Sequence, residues 1–301
     1  MANQSIVVLG STNTDMVIKT TKLPQPGETI LGGDFLMNPG GKGANQAVAA
    51  ARLNGNVTLV AKTGEDLFGS QARKLFRAEN LNTDFLFTDP ESPSGIALIT
   101  VDELAENCIV VAPGANARLL RADVDKAEEA IKNAGIILMQ LEIPLDTVCY
   151  AAEIAYKAGK KVILNPAPAQ PLPDVLLKML YLITPNETEA ELLTGITVTD
   201  ASSAEKAARK LLGKGVQVVV VTLGSKGAML VTDEQCQLIP TFKVKAIDTT
   251  AAGDCFNGAL AVAIAEGADL VSAITFANKA ASISVTRMGA QASAPYRDEV
   301  D

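Results

Sequence analysis

The sequence predicts an α/β fold: a Rossmann-like, doubly wound, mostly parallel sheet flanked by helices, with a small β-sheet lid. Three observations carry that prediction. Short apolar runs recur along the 301 residues, at 5–9, 57–61, 135–141, 161–164, 180–184 and 216–223. They are β-branched and nearly unbroken, as strands buried on both faces of a parallel sheet must be. Helical stripes lie between them. Leu145, Val148, Cys149 and Ala152 follow i, i+3, i+4, i+7 and stop at Gly159; Ala204, Ala207, Ala208, Leu211 and Leu212 stop at Gly213; Phe256, Ala259, Leu260, Ala263 and Ile264 stop at Gly267. Strand–helix alternation over most of the chain is the signature of a doubly wound domain.

The third observation is where the alternation breaks. Residues 11–40 carry Pro24, Pro26, Gly27, Gly32, Gly33, Pro39 and Gly40 among short β-prone pieces, and 94–113 read as strands 95–101 and 108–111 joined by the acidic turn 102–107. Neither stretch has helical periodicity. Together they form either a small sheet at the mouth of the domain, which would act as a lid, or two irregular surface loops. No repeat, low-complexity tract or linker divides the chain, so 1–301 reads as a single domain with a β lid from about 11–40 and 94–113.

Composition narrows the chemistry. With 48% hydrophobic, 20% charged and 4% aromatic residues the chain is ordinarily globular, and a net charge of −8 argues against a general nucleic-acid binder. There is no histidine and no tryptophan. Ser-His-Asp and Cys-His catalysis and His-ligated zinc are therefore excluded. Cys108, Cys149, Cys236 and Cys255 are dispersed with no CxxC, the usage of reduced thiols. The opening MANQSIVVLG lacks a basic region and a long apolar region, and no run approaches the ~20 apolar residues of a membrane span. A cytoplasmic protein is expected. GxxxxGK[ST], GxGxxG and GxSxG are all absent, which disfavours P-loop, dinucleotide and hydrolase readings.

In open parallel sheets ligands sit beyond the carboxyl ends of the strands, so the polar residues that follow strands matter most. The most informative segment runs Asp248-Thr-Thr-Ala-Ala-Gly-Asp254, between a β-prone piece at 242–247 and the helix beginning near Phe256. Small Ala251, Ala252 and Gly253 let backbone approach a ligand, and their N–H groups at a helix start make an anion hole. Asp254 in its midst could accept a hydroxyl proton; a plain N-cap accounts for the same spacing. Asn38-Pro-Gly-Gly-Lys-Gly-Ala-Asn45 precedes an Ala-rich helix and offers donors to a polyhydroxy or anionic ligand, or is a flexible loop. Asn13 and Asp15, after the first strand, could clamp vicinal hydroxyls or make a turn. Glu142 adds an acid at the same rim. Asn186-Glu-Thr-Glu189 could hold Mg²⁺ through water, although an acidic first helical turn reads the same way. The segment Thr222-Leu223-Gly224-Ser225-Lys226-Gly227 could line a nucleotide or turn a hairpin.

Taken in order, GSTNTD, GGKGANQAVAA, MQLE, NPAPA, TPNETEA, TLGSKG, DTTAAGDCFNGAL and VTRMGAQ resemble the ribokinase family of ATP-dependent sugar kinases nearly end to end. The pair GGKGAN and DTxxAGD is specific to it. The resemblance implies transfer of the ATP γ-phosphate to the 5-hydroxyl of D-ribose, with Asp254 as general base and Ala251, Ala252 and Gly253 as anion hole. It implies that Asn13, Thr14, Asp15, Gly41, Lys42, Gly43, Asn45, Glu142 and Asp254 hold the sugar. ATP would meet Asn186, Thr222 to Gly227, Gly253, Asp254 and Asn278, the last standing where close relatives often carry a histidine. Glu189 would organise Mg²⁺ through water. An activating K⁺ would sit at Asp248, Thr250, Ser284, Arg287, Gly289 and Ser293, and lids of two subunits would pack into a homodimer. Other readings are a family kinase acting on deoxyribose, fructose or adenosine, and a sugar sensor without turnover.

Overall fold

The structure, a computed structural model, describes residues 4–104 and 106–301. In chain order it runs β1 (Ile6–Leu9), β2 (Asn13–Lys19), β3 (Phe35–Gly40), α1 (Lys42–Arg52), β4 (Val57–Gly64), α2 (Leu67–Ala78), β5 (Leu86–Asp89), β6 (Gly95–Val101) and β7 (Asn107–Ala112). Strands and helices then alternate: α3 (Arg121–Asn133), β8 (Ile136–Met139), α4 (Leu145–Lys157), β9 (Lys161–Leu164), α5 (Asp174–Leu177), β10 (Leu182–Ile183), α6 (Glu187–Thr194), α7 (Ala201–Leu212) and β11 (Val218–Thr222). The hairpin β12 (Ala228–Val231) and β13 (Cys236–Ile239) follows, then α8 (Ala252–Ala265), α9 (Leu270–Ser284) and α10 (Arg297–Val300).

Among the described residues these strands make two sheets. The larger has the order β13-β12-β11-β10-β9-β8-β1-β4-β5, parallel except at the β11–β12–β13 edge. The pleat explains why its strands are apolar throughout. Ile6 and Val8 of β1 face a core built with α1, α8 and α9, whereas Val7 and Leu9 face a second core built with α3, α4 and α7. Each such side chain contributes about 1.5–3 kcal/mol by burial, so a slip of one residue would misplace a whole face and register is tightly specified. The smaller sheet has the order β3-β2-β6-β7 and draws its strands from within 11–40 and 94–113. Ala105 in the turn at 102–107, and residues 1–3 of the N-terminus, lie outside the described residues.

One expected element is absent. Residues 242–247 form no strand; they run as an irregular arm with Phe242, Val244 and Ile247 exposed. Phe242, Val244 and Ala246 line a cavity described below, which is why a β-like pattern there pairs with nothing. The position of the site follows from topology: β1 pairs with β4 on one side and β8 on the other, so the chain reverses its winding between β1 and β8 and opens a crevice at their carboxyl ends.

Candidate active site

The crevice is bridged by a hydrogen bond from Ser11 Oγ, after β1, to Glu142 Oε2, after β8, at 2.6 Å. The same carboxylate oxygen accepts from the backbone N–H of Lys42 at 3.0 Å, which pins the start of α1 to the crevice floor. Gly41 makes that approach possible. Its φ is +88° and a Cβ there would meet the backbone N of Asn13 and Cα of Thr12 at 2.7 Å. The carbonyl of Asn13's side chain accepts from Asn116 Nδ2 at 2.7 Å, which turns the Asn13 amide nitrogen away from Asn116. Asp15 lies on β2 beside it. Burial pushes its carboxyl up to about 6, with the charges of Glu142 and Asp254 adding to the effect and Lys42 opposing it. The Lys42 ammonium is held protonated above its usual range, foremost by Asp254 and then by Glu142, Glu189 and Asp15. The sequence-predicted residues Asp15, Lys42, Glu142 and Asp254 therefore form one electrostatic cluster, three acids around one half-buried cation, with Glu189 a fourth acid at its edge.

Asp254 is not an N-cap. The N-cap of α8 is Ala251, held in the left-handed region at φ +58°, and Asp254 sits in the first turn, 6% exposed. Its carboxylate accepts from Asn45 Nδ2 at 3.0 Å and from Gln46 Nε2 at 2.9 Å, both on α1. Burial pushes its carboxyl up, against the pull of Lys42 and the two amides. The N–H of Ala252 donates to the carbonyl of Thr249 and that of Cys255 to Ala251, whereas the N–H groups of Gly253 and Asp254 have no partner among the described residues. A carboxylate and two free backbone donors thus share one helix start, a geometry that can take a proton and hold developing negative charge.

Gly253, next to Asp254, also lines a cavity of about 750 Å³, whereas Asp254 itself, expected among the nucleotide residues, does not. Of the expected nucleotide residues, Asn186, Thr222, Gly224, Ser225, Gly227, Gly253 and Asn278 line it. Leu223 instead packs into the core, and Lys226 Nζ reaches the carbonyl of Thr199 at 3.2 Å. Asn278 spends its amide hydrogens on the carbonyls of Ile239 and Pro240, leaving its side-chain oxygen for a ligand. Sequence reasoning missed Thr241, Phe242, Lys243, Val244 and Ala246 of the irregular arm, and Phe256, Ala281, Ser282 and Val285 of α8, α9 and its end. The signal was topological: an apolar segment joining β13 to the anion hole has to cross the mouth of the crevice.

Glu189 closes a capping box with Asn186, accepting from its backbone N–H at 2.9 Å while Asn186 Oδ1 accepts from the Glu189 N–H at 2.8 Å. Only Oε2 is used in this way. Its other oxygen would suit a hard divalent cation such as Mg²⁺ held through water. Of the six expected K⁺ positions, Asp248 and Thr250 precede α8, Ser284 ends α9, and Arg287, Gly289 and Ser293 follow it. Asp248 ties the loops before α8 and after α9 together, accepting from the N–H groups of Thr250 at 2.9 Å and Gly289 at 2.8 Å. Burial would push the Asp248 carboxyl up, but those hydrogen bonds more than offset it. The hydroxyls of Ser284 and Ser293 donate to the carbonyls of Ala281 and Ala290, and Arg287 pairs with Glu299. Backbone carbonyls and Asp248 therefore remain as oxygen donors, a set that fits a hard monovalent cation.

A profile of pfkB family carbohydrate kinases matches residues 3–297. A ribokinase of Haemophilus influenzae is 47% identical over 296 residues, covering 98% of this chain and 97% of that protein. A deoxyribokinase of Salmonella typhi is 40% identical over 292 residues, covering 96% and 95%. Arabidopsis thaliana ribokinase, solved in complex with ribose and ATP, superposes with a TM-score of 0.92 at 34% identity, covering 99% of this chain and 97% of that one.

Proposed function

The chain belongs to the pfkB family of carbohydrate kinases, and we propose that within it the protein transfers the γ-phosphate of ATP to the 5-hydroxyl of D-ribose, giving D-ribose 5-phosphate. The observation that carries this reading is the position of Asp254. Its buried carboxylate is held by Asn45 and Gln46 and feels the charges of Lys42 and Glu142, next to the free N–H groups of Gly253 and Asp254, and Gly253 also lines a nucleotide-sized cavity. Asn13 offers an amide donor and Asp15 an acceptor to adjacent hydroxyls, with Lys42, Asn45 and Glu142 completing the sugar's surroundings. Asp254 takes the proton of the reacting hydroxyl as that oxygen attacks phosphorus, and the N–H pair holds charge on the transferred group. Glu189 would hold Mg²⁺ through water, which would supply neutralisation of phosphate charge, and Asp248 with the carbonyls of the neighbouring loops would hold K⁺ beside the anion hole.

The same reading extends to assembly and location. Register places Phe35, Met37, Ile18, Leu98 and Val110 on one face of the small sheet, opposite to the face carrying Asp15. All five are exposed, from 42% to 62%. An apolar patch of this kind is supported as a homodimer contact between two lids. A cytoplasmic location is consistent with four unpaired cysteines and with no helix among the described residues long and apolar enough to cross a membrane. Incubation with Mg·ATP and D-ribose, with the product read by phosphorus and carbon NMR, tests the reaction. A phosphate on C5 supports it; a phosphorylated fructose or adenosine with ribose untouched overturns it. The deoxyribokinase relative makes 2-deoxyribose the competing sugar, distinguished at the hydroxyl facing Asn13 and Asp15.

A further inference from the structure

The NPAPA and TPNETEA segments each place a polar residue at the end of a strand beneath the anion hole, and neither residue has a role in the reading above. Asn165 follows β9 and Thr184 follows β10; both are buried, as are Gln46 on α1 and Asn257 on α8. They are joined end to end. Gln46 Nε2 donates to Asp254 Oδ1 at 2.9 Å and to Asn165 Oδ1 at 3.1 Å. Asn165 Nδ2 donates to the carbonyl of Thr184 at 3.3 Å, Thr184 Oγ1 donates to Asn257 Oδ1 at 2.6 Å, and Asn257 Nδ2 donates to the carbonyl of Gly253 at 2.8 Å.

The direction of every bond in this chain is dictated by its two backbone carbonyls, which can only accept. Because Thr184's carbonyl accepts, the Asn165 amide must turn its nitrogen toward it and its oxygen toward Gln46. Gln46 must then present its NH₂ group, and the second hydrogen of that group falls on Asp254. Gln140 Nε2 donates to Gln46 Oε1 at 2.6 Å in the same orientation, while its own Oε1 is buried without a partner among the described residues. Asp254 is left one role toward this network, that of acceptor, which is the role of an ionised carboxylate. At the far end, holding the Gly253 carbonyl fixes the peptide plane that also carries the Asp254 N–H, one of the two free donors of the anion hole.

Resting on the kinase reading, we infer that Gln46, Asn165, Thr184 and Asn257 form a positioning relay that holds the Asp254 carboxylate and the Gly253–Asp254 peptide in one fixed relation. None of the four lines the nucleotide-sized cavity, and the relay acts through those two groups. Close packing of the helices makes it possible: a Cβ at Gly258 would lie 2.6 Å from the carbonyl oxygen of Gln46, so glycine there brings α8 onto α1.

The test compares Gln46→Met, Thr184→Val and Thr184→Ser with the wild type in steady-state kinetics with Mg·ATP and D-ribose, each variant's melting temperature being recorded. Gln46→Met removes the donor to Asp254, and its kcat falls about tenfold to a hundredfold with KM for both substrates within about twofold. Thr184→Val cuts only the link to Asn257 and lowers kcat by about threefold to tenfold, and Thr184→Ser, which keeps the hydroxyl, restores it. Should Gln46→Met fail to fold, the Thr184 pair decides alone. Unchanged kcat, a rise in KM without loss of kcat, or Thr184→Ser no better than Thr184→Val overturns the relay. A wild-type enzyme inactive on every sugar rejects instead the reading on which it rests.

Discussion

Asp15 is a residue whose service to the ligand costs the fold, and the cost can be worked out. Its carboxyl rises from 3.8 to about 6 because it is buried beside Glu142 and Asp254. The folded state therefore holds the proton more tightly than the unfolded chain. The stability that protonated Asp15 confers is complete below pH 3.8 and is lost as pH rises through about 6. A displacement of that size corresponds to about 3 kcal/mol once the group is ionised. Water at the open crevice screens part of it, leaving about 1–3 kcal/mol. Asp15→Asn keeps the shape and removes the charge. The variant is expected to melt higher than the wild type at pH 7.5 by about 2–6 °C without ligand, with the difference shrinking toward pH 4. Its stabilisation by added ribose should disappear, since the acceptor for the sugar hydroxyls is gone. For the wild type, the KM for ribose should rise as pH falls below about 6. Differential scanning fluorimetry across pH reads both enzymes. A variant that melts lower than wild type at pH 7.5, or whose difference does not change with pH, refutes the burial argument.

Asp254→Asn should keep the fold and ribose binding while kcat falls by about 10²–10⁴, measured by ADP release; near-normal turnover removes Asp254 from the chemistry. Replacing Na⁺ by K⁺ at constant ionic strength should raise the rate, and equal rates in both salts exclude the cation at the Asp248 and Gly289 loops. Leu98→Glu, at the centre of the exposed face of the small sheet, should shift the chain to a monomer in sedimentation analysis, whereas an unchanged mass rules out that face as the contact.

The fold was legible where one physical cause dominated. Runs such as 5–9 and 161–164 are apolar on both faces because both faces are buried, and helices stop at Gly159 and Gly213 where the stripes stop. The arm at 242–247 misled for a clear reason: its alternating apolar side chains serve a ligand cavity, and no partner strand exists to use them. At the site, glycine-rich segments and acidic residues after strands pointed to side chains that the fold brings together at one rim. Spacing could not decide between cap and base for Asp254, since that depends on Asn45 and Gln46, more than two hundred residues away in the chain. Glu189 completes the capping box of Asn186 by geometry whatever else it does. The relay through Asn165, Thr184 and Asn257 was invisible in sequence because each is an unremarkable polar residue until the strands align it.

The most direct test of the central claim is coupled ADP release with Mg·ATP and K⁺, comparing D-ribose, 2-deoxyribose, fructose and adenosine in parallel. A clear preference for ribose, with 2-deoxyribose behind it, is the expected result. Turnover on another of the four keeps the family chemistry but contradicts the assignment of the Asn13, Asp15 and Glu142 crevice to ribose, and no ADP release on any of them, with ribose still raising the melting temperature, contradicts the kinase itself and leaves a sugar sensor.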